Sequence, residues 1–133
     1  MSGGGRRKVV SIDDLDGIYF YDGNGWVKAD SVDFSKGIHV IYFDNKRCLA
    51  CRIYDFEWFP LVENMKDSDV AFWIILCEWF SSECSSDLAS KVFKEYDVTA
   101  SPTTLILKDG KIVKKIEGVI SAKKLKRYIE SVK

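Results

Sequence analysis

Cys48 and Cys51 stand two residues apart in the stretch Lys46-Arg47-Cys48-Leu49-Ala50-Cys51. Such a pair can cycle between dithiol and disulfide, or it can supply half of a metal site. The reactive form of a cysteine is the thiolate, and an unshifted thiol of pKa ~8.5 is only a few per cent ionised at neutral pH. Two features favour the anion here. Lys46 and Arg47 place positive charge just upstream. The residues downstream read as a helix, whose unpaired first N–H groups attract negative charge. Cys48 is therefore the expected nucleophile, with Lys46 and Arg47 as thiolate-stabilising neighbours. Cys51, one turn further in, is placed to resolve a mixed disulfide and is better shielded from solvent.

Two more cysteines, Cys77 and Cys84, lie further along the chain. Three readings of them stay open: idle buried thiols, a second disulfide, or a second redox pair. A zinc site built from all four cysteines fits poorly. Zinc ribbons use two short knuckles, and the second spacing here is too wide. We expect no metal. The single histidine, His39, lies inside an apolar run with no acidic or serine neighbour arranged around it. It reads as a sheet histidine whose ring nitrogens are satisfied locally.

The elements that must hold these residues follow from hydrophobic pattern. Residues 9–37 read as short β elements, with Asp22-Gly23-Asn24-Gly25 as a hairpin turn between two aromatic or β-branched runs. "GIHVIYF", 37–43, reads as a strand buried on both faces, and Asp44 to Arg47 as a polar loop before the helix. Tyr54, Trp58, Leu61, Val62 and Met65 form one apolar helix face. Pro60 is expected to kink or restart that helix. "VAFWIILC", 70–77, is a second buried strand. A polar loop follows, then a helix capped by Ser85 or Ser86, with Leu88, Val92 and Tyr96 on one side. After Pro102 come a strand, an Asp109-Gly110 turn, an alternating strand through Ile116, and a last helix capped by Ser121. The aromatics are core residues first, and Trp79 and Phe80, in the predicted loop, could also form a partner-binding rim.

That order, with CxxC between the first buried strand and the first helix, resembles the thioredoxin family. The likeness also rests on "SPTTLILKDGKIVKKIEG". There Pro102 matches the family's cis-proline, Leu105 to Leu107 the following strand, Lys108-Asp109-Gly110 its turn, and Gly118 the glycine that closes the site. The resemblance spans roughly 38–133 and is weaker over 62–84. It implies a three-layer α/β fold, a central mixed sheet with helices on both faces, here with an N-terminal hairpin-like extension. It implies protein thiol–disulfide exchange through Cys48 and Cys51, with Ser101, Pro102 and Gly118 forming the substrate-binding side. The implied partners are proteins carrying disulfides or thiols, and an upstream reductase or oxidant. No cofactor is needed. The chain also departs from the family. Arg47-Cys48-Leu49-Ala50-Cys51 stands where thioredoxins have Trp-Cys-Gly-Pro-Cys, Pro60 falls later than the family's helix proline, and Tyr42 occupies the place of a buried aspartate. A phenol of pKa ~10 is a poor base at neutral pH. These departures motivate an alternative, a thioredoxin-fold interaction module with little or no turnover.

Composition narrows the rest. Lysine plus arginine balance aspartate plus glutamate at 20 each. Nothing in that balance favours nucleic acid or an acidic membrane surface as a partner. The cluster Lys123, Lys124, Lys126 and Arg127 reads as the solvated face of the last helix. No apolar run reaches the ~18–20 residues of a membrane span, and the start lacks a signal-peptide apolar core. The expectation is a cytoplasmic monomer. It comprises a flexible tail over residues 1–8, where three glycines resist ordering, and a single domain over 9–133.

Overall fold

The structure is a computed structural model that describes residues 9–133. The expected flexible tail, 1–8, lies outside the described residues. Nine elements follow one another: β1 (Gly17–Tyr21), β2 (Trp26–Ala29), β3 (Ile38–Asn45), α1 (Leu49–Asn64), β4 (Ala71–Cys77), α2 (Asp87–Glu95), β5 (Thr103–Lys108), β6 (Lys111–Glu117) and α3 (Ala122–Val132). The six strands form one mixed sheet in the order β2-β1-β4-β3-β5-β6. β3 and β4 are parallel neighbours at its centre, and the other pairings are antiparallel. Only the β3–α1–β4 unit needs a crossover, as parallel strands require. The fold is three-layered α/β.

Side-chain alternation along the strands sorts the core into two clusters. On one face, Val40, Tyr42, Phe72, Ile74 and Ile106 pack against Tyr54, Trp58 and Leu61 of α1 and Leu125 and Ile129 of α3. On the other, Ile41, Phe43, Trp73, Ile75 and Leu105 pack against Ala89, Val92 and Phe93 of α2. Strands buried on both faces read as continuous apolar runs, which is how β3 and β4 appear in the sequence. The N-terminal hairpin adds β1 to the β4 edge, pairing Ile18 with Ile75 and Phe20 with Trp73.

Two elements depart from expectation, and both touch the site. β3 does not end at Phe43. Asp44 and Asn45 continue it, opposite Leu76 and Cys77 of β4, and both are buried. Parallel pairing outweighs the low strand propensity of Asp and Asn. α1 is not restarted at Pro60 but runs through it as one helix. Proline there removes the bond to the Phe56 carbonyl. Phe56 is 81% exposed, so water can take that acceptor.

Short side chains end the loops. Ser86 caps α2 by accepting from Ala89 N, and Ser121 caps α3 by accepting from Lys124 N. Between β4 and α2 the chain makes a tight turn. Trp79 and Glu83 bridge across it, and Cys77 and Cys84 are joined by a disulfide at its base. Of the three readings open for these cysteines, the geometry is that of a closed clamp. Two of the four thiols are thereby used, and a four-thiolate metal site is not formed. Replacing both Cys77 and Cys84 by alanine is expected to cost about 2–3 kcal/mol, the chain-entropy value for so short a loop. Chemical denaturation should show a lower midpoint, and an unmoved midpoint would mean that the clamp adds nothing to stability.

Candidate active site

The pair sits where β3 hands over to α1. Cys48 is the N-cap of α1, in extended backbone conformation, and its sulfur accepts a hydrogen bond from Cys51 N at 3.0 Å. A cysteine thus takes the place usually filled by Ser, Thr or Asp. The bond supplies one donor to Cys48 Sγ and the helix dipole points at the same atom. Cys51 has no solvent exposure, against 6% for Cys48. Both are free thiols.

The residues expected to form the substrate side come together. The Ser101–Pro102 peptide is cis, and Pro102 is buried. Ser101 Oγ lies 3.1 Å from Cys51 Sγ. Gly118 donates its N–H to Pro102 O at 2.8 Å, which brings the end of β6 beside the proline. Gly118 has φ +92°, a conformation L side chains rarely adopt.

Lys46 and Arg47 are placed differently from a simple thiolate-stabilising pair. Lys46 Nζ meets Asp16 at 2.9 Å. Arg47 reaches Glu83 at 2.8 Å and Glu78 at 3.2 Å. Their charges are directed to carboxylates, and Arg47 ties the turn after β4 to the residue before Cys48. His39 is satisfied within the sheet, accepting from Trp73 Nε1 at 3.0 Å and lying 2.8 Å from Lys36 O. Trp79 is 38% exposed, while Phe80 packs towards Phe93.

Sequence reasoning missed a buried polar cluster behind Cys51. Asp44, 2% exposed, pairs with Arg52 Nη2 at 2.5 Å. Arg52 also meets Asp55 at 3.2 Å. Tyr42 OH lies 2.8 Å from Asp55 Oδ1 and 3.0 Å from Cys51 O, two acceptors within reach of its one proton. Tyr42 is therefore a strut between β3 and α1, and the carboxylate nearest the cysteine comes from Asp44. The signal was present in the alternation of a strand. Asp44 is two residues beyond Tyr42 and so projects from the same face of β3, towards α1. Reading 44–47 as a loop hid it.

Burial dominates the titration of these groups. It raises the Asp44 carboxyl to about 7, against the opposing pull of Arg52. Burial, and then the charge of Asp44, push the Cys51 thiol up. Burial raises Asp55 while Arg52 lowers it, and burial raises the Tyr42 phenol far above its usual range. Burial would lower Arg52, but Asp44 and Asp55 more than reverse this. A thiol that holds its proton thus lies beside a carboxyl poised to exchange one near neutrality.

A CxxC pair at a helix N-terminus, with the cis Ser101–Pro102 peptide beside it and a central β3–α1–β4 crossover beneath it, is the arrangement of a thioredoxin fold. The thioredoxin family profile matches residues 29–131, and the chain belongs to the thioredoxin family. Solved structures agree on the fold. Thioredoxin from Aeropyrum pernix is 15% identical and superposes with TM-score 0.70, covering 92% of this chain and 98% of its own. Mitochondrial thioredoxin 3 from Saccharomyces cerevisiae, in its oxidized form, is 26% identical with TM-score 0.55, covering 74% of this chain and 81% of its own. Fasciola hepatica thioredoxin is 25% identical with TM-score 0.56, covering 74% and 85%. No curated protein matches the chain.

The burial of Asp44 sets a pH dependence of stability. Its folded value, about 7, lies above the ordinary carboxyl value of 3.8. Between those limits the native state holds a proton that the unfolded chain releases. The stabilising contribution is complete below the lower value and is lost as pH rises through the upper one. The span corresponds to at most about 4 kcal/mol. Asp44→Asn should flatten this slope, so denaturant midpoints compared at about pH 5 and about pH 8 converge relative to wild type. An unchanged slope in the variant would place the titration elsewhere.

Proposed function

We propose that this protein is a thiol–disulfide oxidoreductase that exchanges disulfides with protein substrates through Cys48 and Cys51. The observation that carries the reading is the sulfur of Cys48 capping α1, with Cys51 buried one turn inside and in contact with Ser101. Cys48 thiolate attacks one sulfur of a substrate disulfide. A Cys48–substrate bond forms, and the other substrate sulfur leaves as a thiolate that takes a proton from water. Cys51 then attacks Cys48 Sγ, the Cys48–substrate bond breaks, the second substrate sulfur leaves as a thiolate that takes a proton from water, and Cys48–Cys51 becomes the disulfide. Two electrons have passed to the substrate.

The second step needs the Cys51 proton removed. In this reading Asp44 accepts it, because its carboxyl lies beside the thiol and exchanges protons near pH 7. Arg52 then remains paired with Asp55, so its charge is not stranded when Asp44 becomes neutral. A dithiol reductase returns the disulfide to the dithiol; run in reverse the same steps oxidise a substrate dithiol, and an oxidant then restores the disulfide.

A second reading has a specific observation behind it. Leu49, Ile53 and Phe56 are 82%, 61% and 81% exposed, and their spacing puts them on one stripe of α1 leading away from Cys48. Such a stripe suits an interaction module that holds a partner beside the pair with little turnover.

Reduction of insulin with dithiothreitol as electron source separates the two. The oxidoreductase reading expects catalysis that Cys48→Ser abolishes. It also expects Asp44→Asn to slow turnover about 100-fold at neutral pH. A well-folded wild type without catalysis would favour the interaction module.

A further inference from the structure

The Ser101 hydroxyl has two hydrogen-bond partners among the described residues. Asn45 Nδ2 is 3.0 Å from its oxygen, and Cys51 Sγ is 3.1 Å away. Which group donates to which follows from the chain of contacts behind them. The other end of the Asn45 amide, Oδ1, accepts from the backbone N–H of Phe80 at 2.7 Å. A backbone N–H can only donate, so that end of the amide is its oxygen, and the end facing Ser101 is its NH2. An amide NH2 can only donate. Ser101 Oγ therefore accepts from Asn45 and cannot give its proton there. The one remaining partner for the hydroxyl proton is the sulfur of Cys51.

Asn45 is fully buried, and its donor is held from three sides. The Phe80 N–H belongs to the turn closed by the Cys77–Cys84 disulfide. Arg47 bridges Glu78 and Glu83 across that turn. Lys46 N and Arg47 N donate to Cys77 O and Glu78 O. The direction of the relay is thus fixed by backbone, beyond the reach of a side-chain rotation.

We propose that Ser101 is a catalytic residue of the exchange, donating a hydrogen bond to the Cys51 thiolate, and that Asn45 is the positioning residue that sets its direction. The proposal rests on the oxidoreductase reading. During resolution the Cys51 proton passes to Asp44, and the sulfur electron pair attacks Cys48. Ser101 keeps its own proton throughout and steadies the sulfur while it is charged. Hydrogen bonds to charged acceptors are stronger than those to neutral ones, so the contact favours the anion over the thiol. Burial and Asp44 push Cys51 up, and the Asn45 backbone N–H and then the Ser101 bond act against them.

The other titratable or charged groups around Cys51 are Tyr42 and Asp44 on β3, Cys48 and Tyr54 on α1, and the Arg52–Asp55 pair. None of them is altered by a change at Ser101, and a shift produced there is assignable to the hydroxyl.

The test follows the two releases of thionitrobenzoate when protein reduced at Cys48 and Cys51 meets one equivalent of Ellman's reagent. Peptide mass analysis first verifies that Cys77–Cys84 remains bonded. The first release reports attack by Cys48 and serves as the internal reference. The second reports resolution by Cys51, and its rate below the thiol's pKa follows the thiolate fraction. Ser101→Ala should slow the second release about 10–100-fold relative to the first, as expected for loss of one hydrogen bond to a charged group. The pH–rate line should move up by the equivalent one to two pH units. Ser101→Thr, which keeps a hydroxyl, should recover most of the rate. Asn45→Asp keeps the shape, accepts the hydrogen bond from Ser101 and adds a negative charge that also disfavours the thiolate, so it should slow the second release at least as much as alanine does. Wild-type resolution in Ser101→Ala, or equal slowing in the alanine and threonine variants, would overturn the proposal. Failure of the first release in the wild type would instead overturn the oxidoreductase reading, and this inference with it.

Discussion

A thiol with no contact with water must pass its proton to a neighbour inside the protein, and the surroundings of Cys51 answer that constraint. Its position is dictated by the helix it belongs to. Cys48 caps α1, so Cys51 falls in the first turn, and the first turn of a core-facing helix points at the sheet. The same placement that lets Cys51 reach Cys48 removes it from solvent. Burial raises its pKa, and any anion placed nearby raises it further. On the proposed exchange, a proton acceptor and an anion-stabilising donor are both required, and they cannot be the same group. Asp44 suits the first role and Ser101 the second. They approach the sulfur from different elements, the end of β3 and the loop before β5.

The end of β3 is where these demands meet. Asp44 and Asn45 remain in register with Leu76 and Cys77, so two consecutive polar residues are delivered to opposite sides of the sheet. Asp44 turns towards α1 and finds Arg52. Asn45 turns the other way and joins the turn after β4 to Ser101. The disulfide closes that turn, and Arg47 fastens it to the residue before the nucleophile. Arg47 and Lys46, expected from the sequence to serve the thiolate, pair with carboxylates and tie segments together. Surface ion pairs contribute little free energy. Their value here is geometric, because the Phe80 N–H must stay where Asn45 can accept from it.

Much of the architecture was legible because its signals are local or periodic. The apolar runs of β3 and β4, the Asp109-Gly110 turn, the serine caps and the α1 face of Tyr54, Trp58 and Leu61 each follow from spacing that a short window contains. Pro102 and Gly118 were legible through resemblance, since nothing in a window around proline states that its peptide bond is cis. The polar half of the site was not legible, for a physical reason. Asp44 and Asn45 have poor strand propensity, and only pairing with β4, some thirty residues away, makes them strand. Once they are read as loop, the alternation that aims Asp44 at Cys51 is lost. Tyr42 then reads only as a poor base in the place of an aspartate, whereas its phenol ties β3 to Asp55 and Cys51 O of α1.

The cluster also explains why a phenol can occupy the position of a buried carboxylate without emptying the site of acid–base chemistry. Moving the carboxyl from position 42 to 44 keeps it on the α1 face of β3 and shifts it by about 7 Å along the strand, towards the end that carries Cys48. There it gains Arg52, one residue beyond Cys51, as a counter-ion. A buried aspartate with no cation would be driven still higher in pKa and would stay protonated at neutral pH, useless as an acceptor. A fully solvated one would ionise near 4 and be too weak a base to take a proton from a buried thiol. Arg52 holds Asp44 between those limits, and Asp55 with Tyr42 keeps Arg52 from collapsing onto Asp44 alone. The arrangement costs stability above neutral pH, since an ionised Asp44 is poorly solvated. On the proposed exchange, that cost accompanies a carboxylate used as a proton acceptor.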